Sequence, residues 1–348
     1  MSLLLGTASD FFGLDIGSTA IRLVELKGVS GGAQKTLLKY AYVPLDSPIS
    51  LSDSKADQQK LAQAISQLVA QAHVTTKDVA VGIPSSRVFT TVADVDRLPQ
   101  SELAKSIPLQ ADSLIPTPLG ESKIDWALLG DSPKDKTKQE VLLTSVPNKF
   151  VENRLDLLES IGLNVIAFEP DNLAMARALA APVAGAQLLL DIGRQATDLV
   201  VVLNGAPHLT RNIPTGVEAI VRSAGQSLGV DAKQAEQFVF KFGLSKDKLE
   251  GQVFQAISGT VDMLTTEVEK SIKFFQTRYP SSKIERIVVT GGASVIPEFP
   301  LYLANKFGIN VEIGNAWRNV SFSADRQNEL LAISNQFGVA VGLAERNA

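Results

Sequence analysis

The chain opens with short apolar blocks separated by turn residues. FGLDI (Phe12–Ile16), a Gly17-Ser18 turn and AIRLVELK (Ala20–Lys27) predict a β-hairpin. Ile21, Leu23 and Glu25 fall on one face of its second strand, and Arg22, Val24 and Leu26 on the other. TLLKYAYVPL predicts a third strand. From Asp57 to Ala72 the period changes: Leu61, Ile65 and Leu68 recur at helical spacing and predict an amphipathic helix. DVAVGIP then returns as a buried strand.

Residues 87–165 read as a separate α+β insert in the order strand, helix, strand, strand, helix. Its first helix, in QSELAKSIPLQADSLI, carries Pro108, and its last, NKFVENRLDLLESIG, is expected to start on Asn148 as N-cap and stop at Gly162. LNVIAFEP predicts a further strand and DNLAMARALA a helix.

The pattern then repeats. FFGLDIGSTAIRLVEL, around Asp15, finds a counterpart in LLLDIGRQATDLVVVL, around Asp191, about half the chain away. Each is a strand ending in Asp-Ile-Gly, a short turn and a second apolar strand. A duplicated supersecondary unit predicts two similar lobes sharing one cleft. Turns of this kind offer backbone N–H groups to a phosphate. Gly17 and Gly193 permit close approach, and Ser18, Thr19 and Thr197 can add hydroxyl donors. Asp15 and Asp191 would repel phosphate but suit the water shell of Mg²⁺. One such motif alone would read as a tight turn with a helpful Asp; two in matching context favour the phosphate. A third element, RIVVTGGASVIPEF, runs a strand into Gly291, Gly292 and Ala293 and then a predicted helix, a turn on which a nucleoside can pack.

Composition narrows the chemistry. The 348 residues are 45% hydrophobic and 20% charged, with net charge −4, which gives no basic coat for nucleic acid. There is no Cys, so disulfides and thiolate metal sites are excluded. His73 and His208, the 2 His, are too few and too far apart for a zinc centre or a His-based triad. The N-terminal residues lack a signal-peptide pattern, and LLAISNQFGVAVGLAE is too short and too polar to span a bilayer. A cytoplasmic protein is expected.

The three motifs, in this order, resemble those of the actin/Hsp70/sugar-kinase ATPase superfamily. Within it the chain resembles the FtsA-like branch and its PilM family of type IV pilus assembly. The stretches GLDIGSTAIRLVEL, IPTPLGESKIDWALLG, LLESIGLNVIAFEPDNLAMARAL, LLLDIGRQATDLVVV and QFGVAVGLAER carry that resemblance. It implies an α/β, bilobed actin-like ATPase fold: duplicated ribonuclease H-like domains with an FtsA-type 1C α+β insert. The implied subdomains are 1A at 10–86, 166–185 and 316–348; 1C at 87–165; 2A at 186–215 and 260–315; and 2B at 216–259.

Residue by residue, the resemblance places ATP and Mg²⁺ on Asp15, Gly17, Ser18 and Thr19 from one lobe and on Asp191, Gly193 and Thr197 from the other. Gly291, Gly292 and Ala293 would flank the nucleoside, with Glu218 and Glu236 near the nucleotide. Glu169, in the FEP stretch, would orient the attacking water. One position departs: relatives carry Lys where Val239 stands, and Lys241 lies two residues on.

The implied function is an ATP-binding adaptor with at most slow hydrolysis. Nucleotide-driven lobe closure would tune a surface for the N-terminal cytoplasmic peptide of a PilN-like inner-membrane protein. Pilus motor ATPases are a further implied partner class. Trp126, Pro116 and Pro118 mark a candidate peptide-facing edge, although Trp126 better suits the insert's own core. Beyond the last predicted helix, Asp325 to about Arg346, almost nothing follows, so attachment to the inner face of the membrane is expected through protein and not by direct insertion. The alternative is a sugar- or acetate-type kinase of the same superfamily. It requires a base for the substrate hydroxyl and a polar sugar pocket; the insert has no His and no cluster of carboxylates.

Overall fold

The computed structural model describes residues 10–28, 34–45, 49–183 and 185–346. In chain order it opens with β1 (Phe12–Ile16), β2 (Ala20–Lys27), β3 (Lys35–Pro44), α1 (Lys55–Ala72) and β4 (Asp78–Ile83). The insert follows as β5 (Phe89–Asp96), α2 (Gln100–Ala111), β6 (Ser122–Asp131) and β7 (Lys138–Pro147). Then come α3 (Asn148–Ser160), β8 (Asn164–Pro170) and α4 (Asp171–Leu179). The second half holds β9 (Ala186–Ile192), β10 (Thr197–Leu203), β11 (Ala206–Ile213), α5 (Val217–Leu228), α6 (Ala232–Phe242) and α7 (Gln252–Arg278). It ends with β12 (Ile284–Gly291), α8 (Phe299–Phe307), β13 (Asn310–Ile313), β14 (Val320–Ser321), α9 (Gln327–Ile333) and α10 (Gly338–Ala344).

The duplication extends well beyond the two hairpins. One sheet runs β14-β3-β2-β1-β4-β8 and another β11-β10-β9-β12-β13. In each, three antiparallel strands are followed by two parallel ones, so β3-β2-β1-β4-β8 and β11-β10-β9-β12-β13 share one design. A third sheet, β5-β7-β6, belongs to the insert.

The chain divides into two compact units. The first contains the residues up to Val88, Val146–Leu179 and those from Asn315 on; the second contains Phe89–Ser145 and Ala180–Gly314. In the first, Phe12, Leu14, Ile21 and Leu23 pack on Leu61, Ile65 and Leu68 of α1. Helix α3, grouped with the insert in the sequence reading, adds Leu157 and Leu158 to this same core. The second unit's core joins β9, β10 and β12 to α5, α6 and α7. The insert has a small core of its own, built on Val95, Leu103, Ile107 and Val141. It is fastened within its unit by buried polar contacts. Arg278, at the end of α7, donates to Glu140 (2.7 Å) and Asp94 (2.9 Å), and the Tyr279 hydroxyl reaches both Glu140 oxygens at 3.0 Å.

Several local expectations need correction. Strand β2 is buried on both faces, Glu25 included, because α1 covers one side and α10 packs on the other. Glu25 is satisfied by the Thr75 N–H at 3.3 Å and by the Thr75 hydroxyl. Asn148 is the first residue of α3 and not its cap; Pro147 holds the cap position without a side-chain bond. The other end fits the expectation: Gly162, at φ +80°, lets its own N–H reach Glu159 O and the Leu163 N–H reach Leu158 O. The long terminal helix is instead α9 and α10, separated at Ser334–Gln336 by a 3₁₀ turn. After the glycine pair the chain makes only a 3₁₀ turn, Gly292–Val295, before α8.

Candidate functional site

The two Asp-Ile-Gly turns have the same backbone. Gly17 N–H donates to Ala20 O at 3.1 Å, and Gly193 N–H to Ala196 O at 2.9 Å. Each closes the hairpin that leads out of the central strand of its sheet, β1 or β9. Both strands have a parallel neighbour, β4 or β12, so each turn lies at the carboxyl end of parallel strands, where open α/β sheets hold ligands.

The two aspartates differ in what stands opposite. Asp15 pairs in register with Arg22, and the side chains form an ion pair at 3.2 Å. Asp15 is buried; burial pushes its carboxyl above the usual range, and the Arg22 guanidinium pulls it back. Asp15 is therefore a buried, arginine-paired carboxylate and not a solvated one. Asp191, half-exposed, stands in register with Asp198, which accepts a 2.7 Å bond from Asn212 Nδ2. Arg22 and Asp198 escaped the sequence reading. Their signal was positional, since each lies seven residues beyond its aspartate, directly across the hairpin.

The glycine pair converges on the second turn. β12 runs parallel to β9 with Thr290 opposite Asp191. Gly291 has φ +77°, and a Cβ there would collide with the Asp191 carboxylate and lie 2.6 Å from Ile192 O. Asp191, Gly291, Gly292 and the buried Ala293 thus form one continuous backbone surface. Glu218 on α5 and Glu236 on α6 both lie near the Arg194 guanidinium, at 3.9 and 3.7 Å. Ser18 and Thr19 are half-exposed in the first turn.

Two predicted residues are engaged elsewhere. The Thr197 hydroxyl is buried and donates to Thr215 O at 2.7 Å, tying β10 to the entry of α5. Glu169 is buried and held by two guanidiniums: Arg177 donates to both carboxylate oxygens and Arg346 to Oε2 at 3.3 Å. Both its oxygens face arginine, so orienting a water would require it to release one of these bonds. Arginines eight residues on and near the chain's end gave no local signal.

Other positions are structural. His73 ends α1 in the left-handed region, and His208 packs edge-on against Tyr279. Val239 lies fully buried in the second unit's core, so a Lys there would have to leave it; Lys241 is exposed. Trp126 packs on the insert's core, while Pro116 and Pro118 are exposed. No helix among the described residues is long and apolar enough to cross a membrane.

Known proteins share this fold. Ethanolamine utilization protein EutJ from Carboxydothermus hydrogenoformans has the same fold with a TM-score of 0.55 at 15% identity, over 96% of this chain and 88% of that one. MreB5 of Spiroplasma citri bound to AMPPNP gives 0.53 at 12% identity, over 95% and 94%. The doubled sheets are those of the actin-like ATPase fold. A structure of a PilM-PilN type IV pilus biogenesis complex gives 0.81 at 24% identity, over 97% of this chain and 98% of that one. The family model for type IV pilus assembly protein PilM matches residues 13–348, and the chain belongs to that family.

Proposed function

We propose that this protein is an ATP-binding adaptor of a type IV pilus assembly platform, which takes up the cytoplasmic tail of a PilN-like inner-membrane protein in a nucleotide-dependent way. The observation that carries the nucleotide reading is the pair of matched turns, Gly17 N–H to Ala20 O and Gly193 N–H to Ala196 O, each directly after a strand-end aspartate. Membership of the PilM family, and the PilN partner in the solved complex, support the adaptor role.

In this reading Gly17, Ser18 and Thr19 offer phosphate contacts in the first turn and Gly193 in the second. Gly291, Gly292 and Ala293 support the nucleoside, and Glu218 and Glu236 provide polar groups on α5 and α6. Mg²⁺ keeps much of its water shell and needs few protein ligands. The half-exposed Asp191, with Asp198 across the hairpin, suits that demand. Asp15 would meet the metal's waters only by loosening its hold on Arg22. When bound, Mg²⁺ would neutralise the phosphate charge. Glu169 serves as a structural anchor, so turnover is expected to be slow.

Calorimetric titration of ATP with and without Mg²⁺, followed by a turnover assay on the same sample, tests this reading. Metal-dependent binding with slow turnover is expected. Absence of binding, or fast turnover by the protein alone, would overturn it.

A further inference from the structure

Arg194 occupies the position after Asp-Ile-Gly in the second turn, where the first turn has Ser18. The nucleotide reading gives it no part, yet it is a cation in a turn built for an anion. Its backbone is fixed. The carbonyls of Gly193 and Arg194 accept from Val217 N–H (3.0 Å) and Glu218 N–H (2.8 Å), the first donors of α5. The chain beside it is tight as well: a Cβ on Gly216 would lie 2.5 Å from Gly193 O and 2.6 Å from Arg194 O.

The side chain is held far less firmly. Its Nε stands 3.9 Å from Glu218 Oε2 and its Nη1 3.7 Å from Glu236 Oε1, both beyond hydrogen-bond distance. The three side chains are 51%, 41% and 43% exposed, so water screens these pairs and they contribute little. Glu218 also has Arg222 at 3.2 Å and would not be left without a cation if Arg194 moved. The result is an arginine anchored at its backbone with an easily exchanged partner set at its tip.

We infer that Arg194 is a phosphate-binding residue that exchanges Glu218 and Glu236 for the phosphates of the bound nucleotide. The inference rests on the ATP reading above. Phosphate offers guanidinium two parallel charge-assisted hydrogen bonds, which neither loosely placed carboxylate supplies here. The exchange adds affinity in proportion to phosphate charge and releases the ion pairs that link α5 to α6.

The test is calorimetric binding of MgATP to the full chain over a range of salt concentrations, for the parent, Arg194→Ala and Arg194→Lys. Melting without nucleotide is measured alongside to confirm that each variant folds. Arg194→Ala is expected to bind ATP about tenfold more weakly, with a shallower salt dependence because one charged contact is gone. Arg194→Lys should recover part of both. An Arg194→Ala variant with the parent's affinity would overturn the assignment, as would weaker binding with the parent's full salt dependence, which marks a structural role. A parent protein that binds no ATP would instead defeat the nucleotide reading itself and this inference with it.

Discussion

Asp15 and Asp191 look alike in sequence, and their surroundings set them apart. Asp15 and Arg22 are both largely buried, with side chains 7% and 12% exposed. Asp15→Ala would leave the guanidinium in the core without its counter-charge, a loss of roughly 3–5 kcal/mol for a broken buried pair. Asp191 is half-exposed, so Asp191→Ala should melt closer to the parent while weakening MgATP binding. Thermal melting and calorimetry of the two variants check this; equal losses of stability would refute the distinction. Glu345 gives a second prediction. Its Oε1 is buried without a hydrogen-bond partner, and burial lifts its pKa to about 7 against the pull of Arg177 and Lys35. A carboxyl raised in the folded state favours folding at low pH, and that contribution is lost as pH rises from the ordinary Glu range through about 7. Glu345→Gln should therefore raise the melting temperature at pH 8 and bring little change at pH 5. A gain of the same size at both pH values would contradict it. The aspartates were legible in the sequence as a repeated motif. Their opposite surroundings were not, because burial and cross-strand partners depend on register and on α10, which lies at the far end of the chain.

Among the elements, the hairpins, α1 and the strands of the insert were readable because their periods are strong and local. The failures lie where tertiary packing overrides local pattern. Helix α3 follows the insert in sequence yet completes the first unit's core, and the terminal apolar stretch breaks at Ser334, whose hydroxyl accepts from Ala316 N–H at 2.8 Å and donates to Asn315 Oδ1 at 2.9 Å. Helix α10 shows what its glycines are for. Gly338 rests on Leu179 and Met175, and a Cβ on Gly342 would collide with the Ala174 carbonyl of α4. Arg177 of α4 donates to Gly342 O, binding the same two helices. Gly342→Ala must push α10 away from α4, and overpacking of this kind typically costs about 1–3 kcal/mol or more. Denaturant unfolding should show that loss with the m-value retained; a variant as stable as the parent would mean that the helices are not pressed together as described.

At the scale of the whole molecule, the repeat of Asp-Ile-Gly was the most informative feature of the sequence. It pointed to a duplicated fold, and the structure extends the likeness to five strands in each half. The surface that receives a partner was not legible, since a peptide-binding surface needs no residue chemistry of its own, and Trp126, also weighed for it, packs on the insert's core as its apolar ring favours. In the proposed function, nucleotide and partner binding are coupled. Coupling of this kind is reciprocal: if MgATP changes the peptide's affinity by some factor, the peptide changes the affinity for MgATP by the same factor. The most direct measurement is the affinity of the full chain for the N-terminal cytoplasmic peptide of a PilN-like protein, with and without saturating MgATP. The peptide is expected to bind, with MgATP shifting its affinity about fivefold or more. A peptide that does not bind, or that binds equally well in both conditions, would contradict it.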